Sequence, residues 1–271
     1  MSFRLFEGKE HADIYQKYRF DPPDEVKSVI LNYLDKKKGR PHVLAVDLGC
    51  GTGQNTRVLA PHFQKVVGID VSEAQLAVAT RVAGFPNISY RAGPAEDLPF
   101  EDGSVDLVTA ASAAHWFNAD AFLKEAERVL KPRGCIALLG YSTTTCELHC
   151  KDGTGDLTEI LTELWDCLKP YGTKQWDISN SMLQEIFEAI RFPEKERVEN
   201  IAVKTPLSVC DFLGYIQSIS MYQSYSKADP EAATTMIQRI QRRLLEEMGV
   251  SAETELEIWH QYFCVLASKP E

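Results

Sequence analysis

The sequence lacks any apolar run close to the ~18 residues that a bilayer-spanning helix needs, so no membrane-embedded role is expected of it. It also lacks a cationic block. Lys36-Lys37-Lys38 is the longest basic run, and it sits where it would solvate a helix end. Acidic residues outnumber basic ones 39 to 29, giving a net charge of −10. Binding to nucleic acid needs a cationic footprint, so neither DNA nor RNA is an expected partner. A disulfide framework is missing too: the seven cysteines are odd in number and scattered, which suits a reducing compartment. Cys146, His149 and Cys150 make at most half of a zinc site, so no metal is expected. The stretch from Met1 to Glu7 has no signal-peptide core, and the expected location is cytoplasmic. There is no internal repeat or low-complexity segment.

What is present is an ordinary globular composition, 44% apolar over 271 residues. That length accommodates one large α/β domain with an added cap, or two small domains. The most informative stretch is 43–53. Residues 43–46 are apolar and partly β-branched, as in a strand buried on both faces. Asp47 follows, and then Gly49, Gly51 and Gly53 at alternate positions lead into a helix from Gln54. Bare backbone at this turn lets a ligand approach closely. A second apolar strand, 66–69, ends in Asp70, 23 residues after Asp47. In nucleoside-binding α/β folds an acid at this place hydrogen-bonds the ribose hydroxyls. The glycine spacing departs from the dinucleotide fingerprint, because Gln54 stands where its third glycine would be.

Further strands are expected at 88–92, 104–110 and 135–139, with helices at 24–37, 72–82 and 120–130 between them. This alternation predicts a parallel, doubly wound sheet. Beyond 145 the pattern changes. Helices are expected at 156–168, 181–190, 208–225 and 230–248, and strands at 197–203 and 255–267. The fold class is therefore α/β. A core spans 1–145, helical insertions at 146–195 and 206–250 form a cap, and 196–205 with 251–271 complete the sheet.

The D-x-G-x-G-x-G string from Asp47 to Gly53 resembles motif I of the class I S-adenosylmethionine (SAM) dependent methyltransferases. Ala95-Glu96 with Leu98-Pro99-Phe100, the string Ala114-His115-Trp116-Phe117, and the entry segment Phe6…His11…Tyr15…Tyr18-Arg19 are similar to the trans-aconitate-methyltransferase-like branch. The resemblance implies a Rossmann-like, seven-stranded sheet whose last strand is antiparallel. The cap would be inserted after strand five and between strands six and seven. It implies SAM as cofactor and S-adenosylhomocysteine as product. The cofactor-binding residues it implies are Tyr18, Arg19, Asp47, Gly49, Cys50, Gly51, Gly53, Asp70, Val71, Ala95, Glu96 and Ala111. Many relatives carry an aspartate before that alanine to accept from the adenine amine; here Pro94 stands there. The acceptor would be a small molecule, one with a carboxylate if the branch's namesake is followed, and Arg19 or Arg191 would face it. His115 is the only histidine expected near the reactive centre, either as general base or as a packing group under the cap. The N-terminal segment is expected to be a lid or a pinned arm. The competing readings are a catalytically silent SAM-binding regulator and a nicotinamide oxidoreductase. Composition leaves the oligomeric state open.

Overall fold

The computed structural model describes residues 6–151, 157–248 and 255–271. Asp156 and Gly249, expected to start one helix and close another, lie outside these, as do residues 1–5. In chain order the elements begin with α1 (Lys9–Tyr18), α2 (Asp24–Lys37), β1 (Leu44–Leu48), α3 (Gln54–Leu59), β2 (Lys65–Asp70) and α4 (Glu73–Ala79). Then come β3 (Ile88–Ala92), β4 (Val105–Ala111), α5 (Ala119–Val129), β5 (Leu130–Tyr141) and β6 (Glu147–Cys150). The remainder is α6 (Thr158–Leu168), α7 (Lys174–Asn180), α8 (Gln184–Ala189), β7 (Glu194–Ser208), α9 (Val209–Ser218), α10 (Ser220–Ala228), α11 (Pro230–Met248) and β8 (Glu255–Ser268).

The strands form one sheet in the order β3-β2-β1-β4-β5-β8. The pairs among β1 to β5 are parallel. β8 is antiparallel to all of its partners and pairs with three strands. β5 and then β6 lie end to end along one edge of it, and β7 runs the length of the other. Among the described residues the sheet therefore has eight strands and not seven. The extra strand is β6, four residues that continue the line of β5 because β8 extends beyond it. β7 is also longer than its apolar core suggested. A bulge between Val198 and Ile201, with Asn200 at φ 59°, keeps it in register with β8.

Strand periodicity divides the core. Val46, Leu48, Ile136 and Leu138 point to the face covered by Phe122 of α5 and Ile186 of α8. Ala45, Cys135, Ala137 and Leu139 point to the face covered by Ile30 and Leu34 of α2. Both faces are covered, so the strands read as continuous apolar runs. Each large side chain buried in this way contributes about 1.5–3 kcal/mol. At the far end of the sheet from the ligand edge, Asp106 locks β1 to β4. Its carboxylate, 0% exposed, accepts from the backbone N–H groups of Val43 and Leu44 at 2.9 and 2.7 Å and pairs with Lys38 and Lys131.

A third cluster lies beyond the strand ends. Leu161 and Leu164 of α6, Phe212 and Ile216 of α9, Met221 of α10 and Ile240 of α11 pack against Leu256 and Ile258 of β8. Two local expectations are corrected here. The single helix expected over 208–225 is broken at Ile219, whose ψ of 152° is extended. Residues 6–18, which show little periodicity, contain the helix α1.

Candidate active site

The glycine turn lies at the carboxyl edge of β1, where ligands bind in parallel α/β sheets. Gly49, Gly51 and Gly53 have φ of 61°, 55° and 87°, values open to glycine at no steric cost. At Gly49 a Cβ would also lie 2.5 Å from that of Ala113. The turn is held from both sides by carboxylates. Asp47, 0% exposed, accepts from Asn55 Nδ2 at 2.7 Å and Thr56 Oγ1 at 2.6 Å, tying the strand end to the start of α3. Burial pushes its pKa up to about 6, against the pull of those donors. Asp70 accepts from the backbone N–H of Gly51 and of Ser72, both at 2.8 Å. Burial raises its pKa as well. Cys50 is buried between them, and burial pushes its thiol upward, so it is not a reactive thiolate.

α1 lies across this edge. Ser72 Oγ donates to the Phe6 carbonyl at 2.8 Å, and the Phe6 ring meets Trp116 edge-on at 5.8 Å. Arg57 links Thr52 of the turn to Gln16 of α1. From the first turn of α1 His11 Nε2 donates to the Ser218 carbonyl at 2.9 Å, and from just past its last turn Arg19 Nη2 reaches the same oxygen at 3.4 Å. Ser218 is the last residue of α9. The α1 segment thus caps the negative end of that helix, and an arginine there is electrostatically favoured.

Arg19 is the centre of the enclosed space. Its Nη1 donates to Tyr141 Oη at 2.9 Å, and its guanidinium lies over the rings of Tyr15 and Tyr215. Its Nε is shut off from solvent and has no hydrogen-bond partner. No ion pair to Arg19 is found among the described residues. A half-buried cation without a counter-ion is costly, and here it faces a cavity open at its mouth. Arg19, Asp47, Gly49, Cys50 and Ala111, all implied by the resemblance, line that cavity. Gln54 lines it too, with its Oε1 bonded to Thr52 Oγ1 at 2.8 Å and its Nε2 buried without a partner.

The other expected residues are distributed around this cavity. Asp70 and Gly51 bond to each other beside it, and Val71 is 54% exposed next to them. Ala95 packs into the sheet core, and Glu96 accepts from the Asn118 N–H at 2.7 Å. Tyr18 is on the far side of α1, against α9. His115 stands beside Trp116 and is not on the cavity wall. Burial, with Arg19 adding to it, holds its pKa down at about 4, so it is uncharged at neutral pH. Arg191 is not on the wall either.

Sequence reasoning missed the aromatic wall. Tyr141 and Tyr262 line the cavity opposite the glycine turn, with Tyr15 and Phe20 from the N-terminal segment. Behind them His260, 0% exposed, has both ring nitrogens unpartnered, and burial with the nearby Arg19 lowers its pKa to about 3. His115 is therefore not the only histidine near the centre. A signal for the wall existed: His260 and Tyr262 fall on one side of β8, and Tyr141 ends β5 at the ligand edge.

The comparisons agree with this architecture. The family described as methyltransferase domain matches residues 46–138. A Dictyostelium discoideum protein described as a methyltransferase is 30% identical over 230 residues, covering 82% of each chain. A Saccharomyces cerevisiae protein described as S-adenosylmethionine-dependent is 37% identical over 101 residues, which cover 35% of each chain. The solved structure of a type II methyltransferase from Anaeromyxobacter dehalogenans superposes with a TM-score of 0.72 at 22% identity, over 94% of this chain and 100% of the other. The glycine turn between Asp47 and Asp70 and the likeness to the Dictyostelium protein over 82% of both chains together place the chain in the class I S-adenosylmethionine-dependent methyltransferases.

Proposed function

We propose that the chain transfers a methyl group from SAM to a small-molecule acceptor that presents a carboxylate. The observation that carries this is Arg19, a guanidinium without an ionic partner among the described residues, facing a cavity beside the glycine turn. The cavity fits the cofactor chemically. The amino-acid end of SAM is a zwitterion, and the wall offers a carboxylate at Asp47 and unpartnered donors at Arg19 Nε and Gln54 Nε2. Asp70, already oriented by two backbone N–H groups, is placed to accept from the ribose hydroxyls. Val71, Ala95 and Glu96 would flank the adenine, and Pro94 supplies no side-chain acceptor there.

Bound SAM supplies a methyl group already activated for displacement. The protein's part is to align the acceptor and exclude water, and alignment alone can be worth about 7–11 kcal/mol. The lid α1 and the cap formed by α6 and α9 to α11 supply that enclosure. In this reading α6, from the expected insertion 146–195, and α9 to α11, from 206–250, shape the acceptor side, whereas β6 joins the sheet and α8 packs on the core that binds the cofactor. A carboxylate acceptor is ionised at neutral pH and needs no general base. His115, uncharged with a pKa near 4, then acts by packing and not as a base.

A thermal-shift comparison of SAM, S-adenosylhomocysteine and NAD tests the cofactor. At about 100 times its dissociation constant a ligand adds roughly 2.7 kcal/mol. Transfer of radiolabelled methyl groups to a panel of small carboxylic acids, with their amides as controls, tests the acceptor. Labelling of the amides alone would end the carboxylate reading.

A further inference from the structure

We infer that the Tyr141 hydroxyl is a dedicated hydrogen-bond donor to a carboxylate held in the cavity, with Arg19 as its charged companion; the inference rests on the functional reading above. A phenol oxygen has one proton to give and two lone pairs to receive with. Both lone pairs of Tyr141 are taken. Arg19 Nη1 donates into one at 2.9 Å, and Tyr215 Oη donates into the other at 3.2 Å. The proton of Tyr141 is all that remains, and Tyr141 lines the cavity.

The arrangement is built from four separate elements. Arg19 follows the end of α1, Tyr141 ends β5, Tyr215 is on α9 and His260 is on β8. Tyr215 is 0% exposed, so its hydroxyl has no water to turn to. The Tyr141 ring is held by the rings of His260 and Tyr262, with centroids at 4.5 and 5.2 Å. The hydroxyl is therefore fixed in position as well as in polarity. A corner that turns a phenol proton and a guanidinium toward the cavity favours an anionic oxygen over an ammonium group. A carboxylate suits it because its two oxygens can each take one bond. That carboxylate can belong to the amino-acid end of the cofactor or to the methyl acceptor.

Tyr141→Phe removes the proton and keeps the ring. Calorimetry would compare the variant with the wild type using SAM and 5′-methylthioadenosine, which has the nucleoside but no carboxylate. The same proteins saturated with S-adenosylhomocysteine would be titrated with sodium acetate, succinate and benzoate. A loss of about ten- to hundredfold for SAM with methylthioadenosine unchanged assigns the corner to the cofactor. A similar loss for a carboxylate salt with SAM unchanged assigns it to the acceptor. Tyr215→Phe, which frees a lone pair on Tyr141, is expected to weaken the same ligand by a smaller factor. Binding of SAM and of every salt within about twofold of the wild type would overturn the inference alone. So would an equal loss for methylthioadenosine, which marks a merely structural ring. A wild type that binds neither SAM nor methylthioadenosine would instead overturn the functional reading on which the inference stands.

Discussion

The ring of Tyr18 occupies the space that a side chain at position 214 would fill: a Cβ on Gly214 would lie 2.5 Å from two of its ring atoms. Glycine in the middle of α9 costs the helix about 1 kcal/mol relative to alanine. The close approach of α1 explains its presence.

Gly214→Ala is expected to destabilise the protein by about 1–3 kcal/mol through overpacking and to weaken SAM binding by displacing α1. In a Tyr18→Ala background the same substitution is expected to stabilise by up to about 1 kcal/mol, because only helix propensity remains. Thermal or urea unfolding of the four proteins measures the difference. Equal effects in both backgrounds would mean that Tyr18 and Gly214 are not coupled.

Asp70→Ala is expected to weaken SAM at least about tenfold, the scale of one charge-assisted hydrogen bond. The carboxylate also anchors the N–H groups of Gly51 and Ser72, so the glycine turn loosens with it. Calorimetry reads the change, and an unaltered dissociation constant would remove Asp70 from the site.

Arg19→Met exchanges a half-buried cation for an apolar chain of similar length. Stability is expected to hold or to rise by up to about 2 kcal/mol, because the charge has no counter-ion to lose. Binding of SAM or of carboxylates is expected to fall. The pKa of His115 should rise from about 4, since Arg19 contributes to its depression after burial. Unfolding and NMR titration test the two halves. A stability loss above about 1 kcal/mol would make Arg19 a structural strut.

Burial holds the His260 pKa at about 3 in the folded protein, below its ordinary value of 6.5. The unfolded chain takes up this proton first as pH falls. The contribution of neutral His260 is fully present above pH 6.5 and is lost progressively as pH drops from there toward 3. Its size is on the order of several kcal/mol. Asp47 works in the opposite sense: with its folded pKa raised to about 6, it favours folding at low pH and loses that contribution as pH rises from 3.8 through 6. The test is therefore a difference. The unfolding free energy of the wild type minus that of His260→Phe, measured from pH 4 to 7, should fall as pH falls. Parallel curves would show that His260 is not excluded from protonation.

The sheet was legible where local pattern and tertiary environment agree. β1, β2 and β4 are apolar on both faces, and their sequences say so. The glycine turn and Asp70 were legible through spacing, because both are dictated by one strand–turn–helix unit. α1 was not, because its helix depends on partners some 200 positions away, including Ser218 at a separation of 207. The break at Ile219 was hidden for the same reason. No glycine or proline marks it, and the Ser218 carbonyl is turned toward His11 and Arg19. The aromatic wall escaped notice because Tyr141 and Tyr262 face each other only through the β5–β8 register.

β8 joins β5, β6 and β7, and it brings Tyr262 to the cavity and His260 behind it. It is also the last of these elements to be synthesised. Until Glu255–Ser268 arrives, three strands have an unpaired edge and one wall of the cavity does not exist. A nascent chain short of that point can pair β1 to β5 but leaves the cavity unfinished. The exposed strand edges make that interval the one in which the chain most needs protection from its neighbours.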